Sequence, residues 1–278
     1  MQFTKMHGIG NDYIYVNCFQ QTPAHPSELA VRLSDRHFGV GSDGLILIQP
    51  SDVADCKMEM FNADGSVGMM CGNGIRCVGK YVYDRGLVKK DVLQVETRSG
   101  IKTLHLNIQN GTVSSVRVNM GPPELEAAKI PVQFPKERVI DEAVQSPSGA
   151  IWYVTCVSMG NPHCVAFVED VDGLDLPRFG PEMEHHEMFP EQVNMEFVRV
   201  IGPEEIQMRV WERGSGETWA CGTGACASAV ASALNGRTGR RVTVHLKGGD
   251  LVVDWDEQTN DVFMEGPATF VFDGTIEI

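Results

Sequence analysis

Short runs in which β-branched or other apolar residues alternate with polar ones dominate this chain. LILI (45–48), VLQVETRSGIKTLHLNI (92–108), VSSVRVNM (113–120), IWYVTCVSM (151–159) and MEFVRVI (195–201) predict strands. IQMRVWE (206–212), RVTVHL (241–246), LVVDW (251–255) and DVFMEG (261–266) do the same. Turn signals such as NADG, QNG, KGGD and FDG separate them. A different period follows two cysteines. After Cys71 the apolar residues Ile75, Val78 and Val82 fall at helical spacing, with Gly86 as a stop. After Cys221, Ala225, Val230 and Leu234 do likewise, stopping at Asn235-Gly236. Ala225, Ala227, Ala229 and Ala231 crowd that second helix, as a central helix closely wrapped by a sheet requires. A further helix is expected over 27–36, capped by Ser27 and carrying Leu29, Val31 and Leu33. Another is expected in the Leu174–Met183 region, against the opposition of two prolines.

Shifted by 150 positions, the chain reads twice. GIGND with Asn11, Gly44, MFNADGS with Asn62, and MCGNG with Cys71 form the first copy. MGNPH with Asn161, Asn194, VWERGSG with Glu212, and ACGTG with Cys221 form the second, with no gap. Two further echoes, NMGPPE (119–124) and MEGPAT (264–269), each end a strand in Gly-Pro. They predict a crossing into a second domain and a return. The expected domains are residues 1–120 with 268–278, and 121–267. The final segment, TFVFDGTIEI, is expected to complete the first domain's sheet.

A cysteine at a helix N-terminus has its thiolate stabilised by the positive end of the helix dipole. The N–H groups of Gly72, Asn73, Gly222 and Thr223 would there form a nest for a carboxylate. Inversion at a carbon needs a base on one face and an acid on the other, because a single group returns the proton to where it came from. A thiolate and a thiol, one from each copy, supply both without a metal or cofactor.

Composition narrows the field. With 23 basic and 37 acidic residues the net charge is −14, against a nucleic-acid partner or an anionic membrane surface. The N-terminus lacks a signal-like apolar stretch and no segment is long enough to span a bilayer, so a cytoplasmic location is the expectation. Eight cysteines are then expected as thiols. Neither Cys71 to Cys77 nor Cys221 to Cys226 has zinc-knuckle spacing, and no metal site is expected.

MFNADGS…MCGNGIRC, MGNPH, WERGSGETWACGTGA and the opening KMHGIGNDY closely resemble the diaminopimelate epimerase family over essentially the whole chain. That resemblance implies an α/β fold (α+β) of two pseudo-symmetric domains, each a β-barrel-like sheet around a central helix. It places the active site in the interdomain cleft. It implies cofactor-independent interconversion of LL- and meso-2,6-diaminopimelate, in lysine and cell-wall precursor synthesis, by a homodimer. Cys71 and Cys221 would be the acid/base pair, Cys221 the acceptor and Cys71 the donor from LL to meso. Gly72, Asn73, Gly222 and Thr223 would hold the reacting carboxylate. Asn11, Asn62, Asn161, Asn194 and Arg213 would bind the rest, and Glu212 would accept from an ammonium group. His163 and Glu212 would tune the thiols.

Single residues carry blander readings. His163 could be a buried structural histidine, and Asn161-Pro162 a plain turn. Asn62 and Asp64 could be turn residues of NADG. Gly44, where some family members carry a polar side chain, can offer only its backbone. A proline racemase or hydroxyproline epimerase is the nearest alternative, but those enzymes typically show a histidine after the first Cys-Gly where this chain has Asn73. A non-catalytic amino-acid binder would not need two thiols. A redox sensor is a third reading.

Overall fold

The computed structural model describes residues 1–277. Ile278, the last residue of the expected C-terminal strand, lies outside them. The chain divides into two compact units, Met1–Asn119 with Glu265–Ile278, and Met120–Met264.

The first unit begins with β1 (Gln2–Gly8), β2 (Asn11–Asn17), α1 (Pro26–Ser34), β3 (Gly44–Gln49), β4 (Cys56–Asn62) and β5 (Val67–Gly68). It continues through α2 (Gly72–Asp84), β6 (Val92–Thr97), β7 (Gly100–Gln109) and β8 (Thr112–Gly121). β1 and β2 are antiparallel, β2 and β3 parallel with Ile14 opposite Leu45, and β3 and β4 antiparallel with Gly44 opposite Asn62. β4 then runs parallel to β6, which leads antiparallel to β7 and β8. The continuous apolar run of β3 has a physical reason: both of its faces are covered. Leu45 and Leu47 join Leu29, Leu33, Phe3 and Phe61 in the core beneath α1. Ile46 faces the other way, where its Cδ1 would lie 2.7 Å from a Cβ on Gly74. Ile75, Val78 and Val82 of α2 are fully buried, each contributing roughly 1.5–3 kcal/mol. Gly79 lets β7 approach, since a Cβ there would sit 2.8 Å from Leu104 Cδ2.

The second unit comprises β9 (Glu142–Gln145), β10 (Ile151–Ser158), β11 (Pro162–Phe167), α3 (Leu176–Glu184), β12 (Asn194–Gly202) and β13 (Glu205–Glu212). β14 (Gly216–Thr218), α4 (Gly222–Leu234), β15 (Arg241–Leu246), β16 (Gly249–Trp255) and β17 (Val262–Gly266) follow. Its pairings repeat those of the first unit. β10 and β11 are antiparallel, β11 and β12 parallel, β12 and β13 antiparallel, β13 and β15 parallel, and β15 and β16 antiparallel. The helices hold the 150-residue offset without drift, Pro26–Ser34 against Leu176–Glu184 and Gly72–Asp84 against Gly222–Leu234. α4 packs against strands β10–β13, β15 and β16. Its alanines at 225, 227 and 231 are fully buried, and their small size lets the strands close around it. After the second Gly-Pro, β18 (Thr269–Thr275) pairs antiparallel with β1.

Several sequence expectations need correction. The first helix starts one residue early, at Pro26, whose fixed φ suits the first turn. Its cap is His25 in a left-handed conformation, and Ser27 instead donates to Gly65 O at 2.5 Å. Val31 is 48% exposed while Leu29, Ala30 and Leu33 are buried, because a residue two places from Leu29 points away from its face. Leu234 is only half-buried. The sequence pattern does not mark β1, β2, β4, β5, β9, β11 or β14 as strands. β4 (CKMEMFN) alternates correctly, but it holds no β-branched residue, and lysine and glutamate are poor strand formers.

Candidate functional site

In the first unit, Cys71 has extended backbone and caps α2, its Sγ accepting from Gly74 N at 3.3 Å. Ile75 N already bonds Cys71 O at 2.9 Å. The helix itself therefore provides no acceptor for the N–H groups of Gly72 and Asn73. The Asn73 side chain is buried. Cys71 is half-exposed, and its thiol donates to Asn11 Oδ1 at 3.3 Å.

Behind Asn11 stands a charged group that sequence reasoning missed. Asn11 Nδ2 donates to Asp43 Oδ2 at 2.8 Å, and Asp12 N donates to the same oxygen at 3.0 Å. Arg36 bridges Asp12 and Asp43 at 2.8 and 2.9 Å. Lys5 contacts Asp12 and donates to Gly41 O. Burial works against ionisation of Asp12, but Arg36 and Lys5 hold its carboxyl below the usual range. Burial pushes Asp43 up, helped by the charge of Asp12. Asn62 and Asp64 serve the turn that precedes Cys71. Asn62 Nδ2 donates to Ser66 Oγ at 2.9 Å, and Asp64 Oδ1 accepts from Ser66 N at 2.9 Å. Gly44 is structurally compelled, because a Cβ there would lie 2.1 Å from Phe61 O.

In the second unit Cys221 caps α4, accepting from Gly224 N at 3.4 Å with Thr223 Oγ1 at 3.5 Å. The expectation of a depressed thiol is overturned here. Cys221 is 5% exposed. Burial, then the charges of Glu212 and Glu196, push it well above the ordinary thiol range despite the helix N-terminus. The charge of Glu212 acts on this thiol, and Glu212 accepts from Thr218 Oγ1.

His163 is fully buried and holds Asn161 rather than the thiol. Its Nε2–H donates to Asn161 Oδ1 at 3.1 Å, and its Nδ1 lies 2.7 Å from Glu196 Oε1. Nδ1 and Oε1 thus hold one proton between them. Glu196 was not foreseen, since VNMEFV reads only as an alternating strand. Burial pushes its carboxyl up, and a Cβ on Gly224 would lie 2.6 Å from its Oε1.

Asn194 is buried. It donates to Pro162 O at 2.7 Å and receives Arg213 N at 3.0 Å, tying the WERG loop to β11. Glu184, also unforeseen, secures the same loop through Trp211 Nε1 and Gly214 N, both at 2.7 Å. The exposed Arg213 side chain bonds Glu191 O at 2.9 Å through Nη1.

Among the described residues no helix is long and apolar enough to cross a membrane. Nor does any group of three or more histidine, cysteine or acidic side chains there have a geometry that could hold a metal ion.

Comparison with known proteins places these motifs. The family model described as "Diaminopimelate epimerase" matches residues 3–126 and 155–271. A diaminopimelate epimerase of Acetivibrio thermocellus is 58% identical over 278 residues, covering 100% of this chain and 99% of its own. Among solved structures, a phenazine biosynthesis protein of the PhzF family from Bacillus anthracis has TM-score 0.73 at 16% identity, covering 100% of this chain and 99% of its own. A probable proline racemase from Agrobacterium radiobacter has TM-score 0.72 at 15% identity, covering 100% and 93%. At such identities these two show the fold alone, that of two pseudo-symmetric α/β domains. With its family model matched across both units and its close relatives matched end to end, the chain belongs to the diaminopimelate epimerase family.

Proposed function

We propose that this chain interconverts LL- and meso-2,6-diaminopimelate by two-base proton transfer at one α-carbon, with Cys71 and Cys221 as the acid/base pair. The reading rests on one observation above the others. In a chain 58% identical to a diaminopimelate epimerase over its full length, two cysteines cap 13-residue helices at equivalent repeat positions.

In the LL to meso direction the Cys221 thiolate takes the α-proton, so that a C–H bond breaks and an S–H bond forms. The electron pair left on carbon is delocalised into the α-carboxylate. The Cys71 S–H then breaks as its proton bonds to the opposite face of that carbon. The N–H groups of Gly72, Asn73, Gly222 and Thr223 stabilise the added carboxylate charge, which is where such donors act most strongly. The buried Cys221 ionises only if positive charge enters beside it. The substrate ammonium that Glu212 accepts supplies that charge. Asn11, Asn62, Asn161, Asn194 and Arg213 hold the distal amino-acid head. His163 tunes the pair through Asn161. The enzyme works as a cytoplasmic homodimer in lysine and cell-wall precursor synthesis, with no nucleic-acid or membrane partner.

The test is turnover of LL-diaminopimelate in deuterated water, followed by NMR and mass spectrometry. In the first turnover the native protein should incorporate deuterium at one α-carbon only. Cys71→Ala and Cys221→Ala should each abolish interconversion while retaining the native circular dichroism spectrum. Normal turnover by either variant would remove the two-thiol mechanism.

A further inference from the structure

Asn11 and Asn161 occupy equivalent repeat positions, yet their amides are held in different ways. Asn161 spends its Oδ1 on His163. Asn11 spends its Nδ2 on Asp43 Oδ2 at 2.8 Å, and its Oδ1 accepts from Cys71 at 3.3 Å. We propose that Asp43, clamped by Arg36, is a positioning residue that locks the Asn11 amide with its carbonyl oxygen toward Cys71, and so favours the protonated form of that thiol in the free protein. The proposal rests on the reading of Cys71 as an acid/base group.

The lock follows from donor and acceptor count. An ionised carboxylate only accepts, and Asp43 Oδ2 already takes Asp12 N at 3.0 Å. Turning the Asn11 amide over would set two acceptor oxygens against each other with no proton between them. It would also aim an N–H at Cys71, which favours thiolate over thiol. Arg36 works against the burial that raises Asp43, through Nη2, 2.9 Å from Oδ1. The second unit has no such device: the position matching Asp43 is Val193, which is fully buried. Asp43 is therefore one of the places where the repeat is broken at its reactive end, making the two thiols unequal in the free protein.

Other charged and titratable groups surround the pair. Lys5 of β1 and Arg36 both neutralise Asp12. From β2, the Tyr15 hydroxyl donates to Gly74 O at 3.3 Å, and burial raises it well above its usual range with Cys77, Cys71 and Tyr13 adding to the effect. Arg76 of α2 is fully buried and donates to Gly72 O at 3.1 Å. Apart from Arg36, these groups are left unchanged in the comparison below.

The experiment measures the pH midpoint of Cys71 alkylation by iodoacetamide, read by peptide mapping, in the Cys221→Ala protein. Adding Asp43→Asn, whose amide can donate or accept, should lower the midpoint by about half a unit to one unit. In an Asn11→Ala background the same change should lower it much less. Arg36→Lys, at a half-exposed side chain that folding tolerates, should shift it in the same direction by a smaller amount. Equal shifts in both backgrounds would mean that Asp43 acts through charge alone, and an unmoved midpoint would mean that it does not act. Either result overturns the proposal. Alkylation needs no substrate, whereas α-proton exchange on diaminopimelate by the native protein tests the functional reading. The two can therefore fail separately.

Discussion

His163 and Glu196 form a completely buried pair, with Nδ1 2.7 Å from Oε1 and no solvent on either side chain. The pair sits under the N-terminus of α4 and fixes Asn161. Glu196 Oε2 has no hydrogen-bond partner among the described residues, so it adds a burial penalty that the pairing must offset.

Breaking the pair should therefore cost more than neutralising it. Glu196→Ala leaves a buried imidazole without its partner and should destabilise by about 3–5 kcal/mol. Glu196→Gln can donate to Nδ1 from its amide, keeping Nε2–H on Asn161, and should cost about 1 kcal/mol. Urea unfolding of both variants decides it. Equal costs would show that the two residues do not act as a unit.

Gly224 is the contact point between this pair and the thiol. An added Cβ would meet Glu196 Oε1 at 2.6 Å and Cys221 Sγ at 3.2 Å. Gly224→Ala should displace both, lowering turnover at least tenfold at a stability cost of about 1–3 kcal/mol. Unchanged kcat in a folded variant would contradict this geometry.

Gly44→Asn restores at β3 the side chain that Asn194 carries at β12. The copy cannot accept it, because the Cβ would fall 2.1 Å from Phe61 O. The variant should lose at least about 3 kcal/mol, or fail to accumulate as soluble protein, since β3 and β4 must separate. Wild-type melting temperature in Gly44→Asn would count against the backbone placement.

Alkaline stability offers a check on burial. Cys77 is fully buried and pushed up to about 11 by loss of solvent. A thiol whose folded value is raised contributes stability that is complete below its unfolded value and lost as pH rises through the folded one. The advantage of the native protein over Cys77→Ala should therefore shrink by roughly 2 kcal/mol between pH 8 and 11. Denaturant titrations at the two pH values read this directly. A constant difference would place Cys77 in contact with water.

Much of this architecture was legible before the structure because it is local or repeated. Helix starts at Cys71 and Cys221 follow from the glycines beside them and from apolar residues at helical spacing. The crossing at Gly-Pro and the return to β1 follow from two matching breaks in pattern. The two cysteines, Asn11 and Glu212 stand out in the sequence because their spacing recurs at a constant offset.

Asp43, Arg36, Glu184 and Glu196 escaped for the opposite reason. Each acts on a residue that the fold rather than a sequence period brings near, and Glu196 in its alternating strand looks the same whether it faces water or a buried histidine. The ionisation of Cys221 was likewise decided by tertiary structure. The sequence alone supplies a helix N-terminus, which favours thiolate. Only the folded unit buries the sulfur and sets two carboxylates beside it, and desolvation then outweighs the helix dipole. Residue types and their period thus determine which groups take part, while burial and long-range pairing decide which of them keep their protons.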